Sequence, residues 1–376
     1  MRSVTYKPLR VVVIGVGGIA QMMHLPTLAE RPDLFRIAGL ADVSADTLQA
    51  VGSRYGVEVL SADWRDAVAR AQPDAVLLLA SGCHREAVMD LLPSGLPLFV
   101  EKPLAFSLQE TEEIARAARE RKATVMVAYH KRFDPAYLKA RDVIRSLRDL
   151  RFVEVTVLHP DDDAYRTHHA VLPVRDTPRV PRSEEEIHSA TVARITSGLF
   201  RGCVDRIVGP EAPVPVRVAA FILFESLIHD VDAVRGILGE PERVLSAHAW
   251  RGGFAQSSST RFPGDVTVTL NWISLPGLRH YEERLRFVAP NGRVTLTFPS
   301  PYLRHAPTPL QIERMDGDEL VVEDRIVSYE EAFRAEMHHF RRCVLEGRPP
   351  SPSLDDALGD ARWIQSIADA FPRTDA

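Results

Sequence analysis

From residue 10 to about 130, short runs of aliphatic and β-branched residues alternate with stretches whose apolar positions recur at helical spacing. That alternation predicts a parallel sheet with helices on both faces. The expected strands are Arg10 to Ile14, Arg36 to Ala41, Val57 to Leu60, Ala75 to Ala80, Leu98 to Glu101 and Thr124 to Ala128. Between the last two, Ser107-Leu108-Gln109-Glu110 forms a capping box, so a helix starts there with Ile114, Ala115 and Ala118 on one face.

Beyond residue 131 the period changes. Asp134-Pro135 reads as a cap and first position of a helix presenting Tyr137, Ala140, Ile144 and Leu147. Phe152 to Leu158 alternates as a strand, and residues 221–238 form a strong helical run stopped by Gly239 and Pro241. Strands follow at Val244 to Trp250, Val266 to Ile273, Glu283 to Ala289, Arg293 to Phe298, Leu310 to Arg314 and Leu320 to Asp324, with Asn291-Gly292 as a hairpin turn. Helices over 329–345 and 354–371 close the chain. Residues 159–220, rich in proline and charge, are expected to be a loop or lid over a cleft.

The first turn carries the clearest chemistry. Gly15-Val16-Gly17-Gly18-Ile19-Ala20 is a G-x-G-x-x-A pattern between a strand and a helix, where glycine lets the backbone approach a pyrophosphate at a helix N-terminus. The next strand ends at Asp42, where a carboxylate can accept hydrogen bonds from a ribose diol. Its charge opposes a 2′-phosphate and no arginine follows, so NAD is expected, NADP less so. Gly15, Gly17, Gly18, Ile19 and Asp42 are therefore the expected cofactor contacts. Ser81 and His84, in the small loop after the fourth strand, lie at the same carboxyl edge.

The fold class expected is α/β. An N-terminal Rossmann-type doubly wound parallel sheet, residues 1–131, binds NAD(P). A C-terminal α+β domain, residues 132–376, is built on an open, mostly antiparallel sheet, and its final helix is free to pack back on the first domain.

Composition narrows the partners. Lys+Arg 46 against Asp+Glu 51 gives a net charge of -5 with no basic block, so no nucleic acid is expected. No apolar stretch is long enough to span a bilayer, so no membrane is expected either. Cys83, Cys203 and Cys343 are far apart in sequence and form no C-x-x-C pair, which indicates neither a disulfide framework nor a zinc knuckle and suits a cytoplasmic location. Asp161-Asp162-Asp163 and His168-His169 have no recognisable ligand spacing, and no metal is expected.

A short apolar run, Leu98-Phe99-Val100, ends on Glu101-Lys102-Pro103, and the sixth strand leads into Tyr129-His130-Lys131-Arg132-Phe133-Asp134-Pro135. With the glycine turn and His84, this set resembles the glucose-fructose oxidoreductase, inositol dehydrogenase and MocA (Gfo/Idh/MocA) family. The resemblance implies hydride transfer between nicotinamide and a secondary alcohol or ketone of a sugar, cyclitol or similar small hydroxylated molecule. It gives Lys102 a place at the reacting hydroxyl and a cis Pro103, with Glu101, Lys102 and Arg132 beside the cofactor and Tyr129 and His130 beside the substrate. The family pattern reads G-H-N-x-R-F-x-P, so Ala128, Tyr129 and His130 depart from it.

On the 221–238 helix the family pattern D-x-G-x-H-x-x-D meets Glu225, Leu227, His229 and Asp232. Glu225, His229 and Asp232 fall at helical spacing on one side. The resemblance makes His229 the general acid/base and Glu225 a partner to Lys102 and His229. In the 159–220 stretch Arg166, His168 and His169 are the candidates for substrate contact, and Trp272, Tyr281 and Tyr302 for pocket walls. The family also contains NAD-dependent redox-assisted glycosidases or lyases and non-catalytic nucleotide-binding regulators, and its members assemble as homodimers or homotetramers through the C-terminal sheet.

Overall fold

A computed structural model describes residues 7–173 and 182–373. The first sheet consists of β1 (Leu9–Ile14), β2 (Phe35–Ala41), β3 (Leu60–Ser61), β4 (Ala75–Leu78), β5 (Leu98–Glu101) and β6 (Val125–Ala128). Its order is β3-β2-β1-β4-β5-β6, and every pairing is parallel. β4 and β5 are buried at every position, as a sheet covered on both faces requires. The order reverses between β1 and β4, so the turns leaving those two strands flank the crevice where nucleotides bind in open α/β sheets. β3 is shorter than its sequence suggests. Val59 accepts from the Leu40 amide, but the ladder is regular only at Leu60 and Ser61.

The second sheet consists of β7 (Phe152–His159), β8 (Arg243–Trp250), β9 (Ala255–Phe262), β10 (Val266–Ser274), β11 (Glu282–Ala289), β12 (Gly292–Phe298), β13 (Pro309–Asp316) and β14 (Glu319–Ile326). They lie in the order β14-β13-β12-β11-β7-β10-β9-β8, antiparallel except where β7 runs parallel to β10. β9 escapes the apolar alternation because its inward positions include Gln256, Ser258 and Thr260. These buried polar groups are matched: Gln256 donates to the Ala219 carbonyl, and the Trp363 indole donates to Thr260.

Residues 159–220 are not the loop expected from their proline and charge content. Helices cover Asp163–Arg166, Glu184–Thr196 and Arg201–Val208, and a further helix begins at Val214. Ser183 and Glu186 make a reciprocal capping box, and Cys203, Val204, Ile207 and Val208 face the core. Pro210 and Pro213 sit between the last two of these helices, and Pro215 stands in the first turn of the last. Residues 174–181 of the stretch lie outside the described residues.

The helix expected from residue 221 starts earlier and is not uniform. Val214–Ile222 is α-helical, Leu223–Leu227 widens into a π turn, and Ile228–Leu238 resumes the α-helix. The last two helices return to the first sheet and its covering helix. Ala332–Glu346 sets Phe340 against Phe99 of β5, at 5.4 Å between ring centres, and Leu354–Asp369 packs on the 108–121 helix and the 228–238 helix.

At that last contact Arg235, buried, donates to Asp360 (2.5 Å), to the Asp356 carbonyl (2.7 Å) and to Glu240. Gly359 makes room for it, since a Cβ there would overlap the guanidinium. Gly359→Ala is therefore expected to destabilise the chain by about 1–3 kcal/mol, although alanine normally improves a helix interior. Chemical denaturation measures this directly. Among the described residues no helix is long and apolar enough to cross a membrane, and no group of three or more His, Cys, Asp or Glu is placed to hold a metal ion.

Candidate active site

β1 ends in a tight turn. Gly15 has φ +85° and packs so closely on Ala80 that a Cβ would overlap its backbone, which joins the turns leaving β1 and β4. Asp42, at the end of β2, accepts from the Val16 amide and the Ser44 amide, both at 2.8 Å. Gly17 has no neighbour within 4 Å of a built Cβ, leaving its backbone open to the crevice. Gly17, Gly18 and Ile19 line a cleft whose other side is formed by Ser81 and His84.

β5 delivers Lys102 to the same cleft, and the Lys102–Pro103 peptide is cis. Lys102 Nζ donates to the main-chain carbonyl of Glu225 at 2.7 Å. That carbonyl lies in the π turn, where i→i+5 spacing disturbs the regular pairing of main-chain groups. The contact to Glu225 therefore runs through its backbone, while its carboxylate is exposed at the cleft.

His229 and His130 close the floor, edge to face with ring centres 4.8 Å apart. His130 stacks on Phe333 at 4.3 Å, from the 332–346 helix. Burial, then the nearby charges of Lys102 and Lys131, push both rings well below the ordinary histidine range, so both are neutral at pH 7. His229 Nδ1 is buried without a hydrogen-bond partner.

A linkage follows for the folded state. Below pH 6.5 the unfolded chain takes up protons that these two rings refuse, so stability falls as pH drops. The expected loss approaches about 1.4 kcal/mol per pH unit for each ring until its folded pKa is reached. Denaturation midpoints between pH 7 and pH 5 check it, and His130→Phe should flatten the slope.

Beneath the cleft, His24 Nε2 meets Glu101 Oε1 at 2.6 Å, with both groups buried. Burial alone would raise the Glu101 carboxyl, but His24 and Lys102 hold it below its usual value. Glu101 also accepts from the Lys102 amide at 3.1 Å. Glu336 is buried nearby with no hydrogen-bond partner, and burial with the Glu101 charge pushes its carboxyl well above the usual range. His24 and Glu336 were not legible as site residues. A lone histidine after the glycine turn and a glutamate in an amphipathic helix give no motif.

Of the residues singled out from sequence, Gly17, Gly18, Ile19, Ser81, His84, Glu101, Lys102, His130, Arg166, Glu225 and His229 share this cleft. His84 is turned inward, its ring nitrogens facing the carbonyls of Pro103 (2.9 Å) and Ala80 (2.7 Å). Arg166 reaches the cleft over the ring of Tyr302. Gly15 and Asp42 lie behind the turn.

Four expectations need correction. Tyr129 is fully buried beside Asp360 and Asp232 and does not line the cleft, because the chain leaves β6 there into the short helix His130–Phe133, which Tyr129 caps. Arg132 does not line the cleft either: it pairs with Asp232 (2.9 Å) and Asp356 (3.2 Å). Asp232 therefore faces Arg132 and not the cleft, although it follows His229 by three residues in the same α-helix. His168 and His169 line a separate surface depression with Arg54 and Arg304.

Known proteins resemble this chain in sequence and in fold. Residues 9–129 match the sequence model of an oxidoreductase family with an NAD-binding Rossmann fold. Over those residues the match is to the Gfo/Idh/MocA family. It is 32% identical over 135 residues to an inositol 2-dehydrogenase of Gluconacetobacter diazotrophicus, covering 35% of this chain and 40% of that one. It is 24% identical to an inositol 2-dehydrogenase of Rhizobium meliloti over 96% of this chain and 95% of that one. The chain spans about two fifths of the length of the first curated relatives it matches. Among solved structures it is similar to a 3-ketoreductase from Actinomadura kijaniata in complex with TDP-benzene and NADP, with a TM-score of 0.71 and 19% identity over 97% of this chain and 98% of that one. That likeness is one of fold.

Proposed function

We propose that the chain is an NAD(P)-dependent oxidoreductase acting on a secondary alcohol or ketone of a sugar or cyclitol. The observation that carries this reading is that Lys102, His229 and His130 share one cleft with the open backbone of Gly17 and Gly18. The glycine turn fits a dinucleotide, because its backbone faces the cleft unobstructed beside an anchored carboxylate, Asp42. Gly17, Gly18, Ile19 and Ser81 would hold it. A bound nicotinamide supplies the hydride exchange.

The residues of the chain manage the oxygen and its proton. The Lys102 ammonium orients the hydroxyl oxygen and stabilises charge that develops on it. His229, neutral and desolvated, accepts the hydroxyl proton in oxidation and returns it in reduction. Glu225 positions Lys102 through its carbonyl, and His130 and Phe333 exclude water from the floor. The test is a screen of cyclitols, aldoses and amino sugars for reduction of NAD and NADP. Absence of turnover with all of them, while nucleotide binds, would count against catalysis and favour a regulatory role.

For the cofactor we propose NAD. Asp42 is held by two backbone amides next to the turn, where its charge opposes a 2′-phosphate. NADH is expected to bind at least about tenfold tighter than NADPH, a difference of about 1.4 kcal/mol. Asp42→Asn keeps an acceptor without the charge and should narrow the gap. Titration calorimetry with both nucleotides decides it, and a preference for NADPH in the wild type would overturn the assignment. The two closing proposals follow the family: a homodimer or homotetramer through the exposed face of the eight-stranded sheet, and a cytoplasmic location. Light scattering on the purified chain tests the first.

A further inference from the structure

Cys83 and Cys203 are 120 positions apart in sequence, yet their sulfur atoms lie 2.7 Å apart. Less than an ångström of travel separates them from a disulfide bond of roughly 2.05 Å. Cys83 is exposed, in the loop between β4 and the 85–91 helix, while Cys203 is buried in the 201–208 helix. Both stand close in sequence to residues that line the cleft. Gly82 and His84 beside Cys83, and Phe200 just before the helix of Cys203, all line it. Glu110 lies 3.7 Å from the Cys83 sulfur and 3.3 Å from Arg206, so an acceptor for the Cys83 proton is in place and its charge is balanced.

We propose that Cys83 and Cys203 are an oxidative modification site, a reversible disulfide that ties the cofactor loop of the first domain to the 201–208 helix. Exposure makes Cys83 the residue an oxidant reaches, and Cys203 the one that resolves it. With hydrogen peroxide as oxidant, the Cys83 sulfur attacks one peroxide oxygen and the O–O bond breaks. The other oxygen leaves as water with the thiol proton, and Cys83 becomes a sulfenic acid. The Cys203 sulfur then attacks the Cys83 sulfur, the S–O bond breaks, and the hydroxyl leaves as a second water with the Cys203 proton. Two thiols lose two electrons and two protons, and peroxide accepts them.

The third cysteine supplies a control, since Cys343 is buried against His339. The experiment treats the full chain with hydrogen peroxide, or separately with glutathione disulfide, and maps peptides before and after reduction. The expected result is one intramolecular link between the Cys83 and Cys203 peptides, with Cys343 still free. Closing so long a loop should raise the thermal midpoint by about 5 °C, reversed by dithiothreitol. Cys83→Ser and Cys203→Ser should each abolish the link and the shift. Persistence of both thiols, oxidation of Cys83 alone to higher acids, or a link through Cys343 would each overturn the proposal. Because the map is made on the wild-type protein, it holds even if a variant folds poorly.

Discussion

Replacing His229 by alanine is expected to lower kcat/KM for alcohol oxidation by about 10²–10⁴-fold, the range that a positioned general base supplies. The ring is suited to that role by its surroundings. It is desolvated, flanked by the charges of Lys102 and Lys131, and kept neutral well below the usual histidine pKa. A neutral base is ready at pH 7, so the acid limb of the wild-type profile should fall below pH 6.5 and should vanish in His229→Ala. Lys102→Met should cause a comparable loss, because it removes the ammonium that faces the same oxygen. The double variant should be little worse than either single one, as groups acting on one proton transfer behave as a unit. Near wild-type turnover in either single variant, with the pH profile unmoved, would sink the assignment.

How much of this was legible depends on which physical signal a residue carries. The parallel sheet was, because its strands are buried on both faces and read as continuous apolar runs between amphipathic helices. The glycine turn and Lys102 were also legible, since a backbone requirement and a charged residue after a buried strand both leave marks in sequence. β9 was not, because its inward side chains are polar and are satisfied by Ala219 and Trp363 from elements distant in sequence. Nor was the path of the 214–238 helix. A π turn costs one residue of register, and that residue offsets Glu225 from His229 and Asp232, which follow it in regular α-helix. The Cys83 and Cys203 contact crosses 120 residues and has no local signature at all.

Replacing Arg132 should have the largest effect on stability. The family resemblance implies a cofactor contact, but the guanidinium is spent on two carboxylates, Asp232 from the 228–238 helix and Asp356 from the C-terminal helix. Asp232 is 1% exposed, and burial pushes its carboxyl up to about 6 even with Arg132 beside it. Arg132→Met would leave that charge buried and unpaired, which costs about 3–5 kcal/mol. Lysine should recover only part of the loss, because a point charge cannot span both carboxylates as the planar fork does. The pH dependence has a defined sign. Without Arg132 the folded-state pKa of Asp232 rises further, so the folded chain binds the extra proton over a wider range above pH 6. The difference between variant and wild type should therefore be greatest near pH 8 and shrink as pH falls below about 6, where a protonated carboxyl needs no counter-charge. Urea denaturation at the two pH values reads this directly. Nucleotide affinity of the folded variant should stay within about threefold of wild type, a difference under 1 kcal/mol. A stable variant that had lost nucleotide binding would instead return Arg132 to the cofactor.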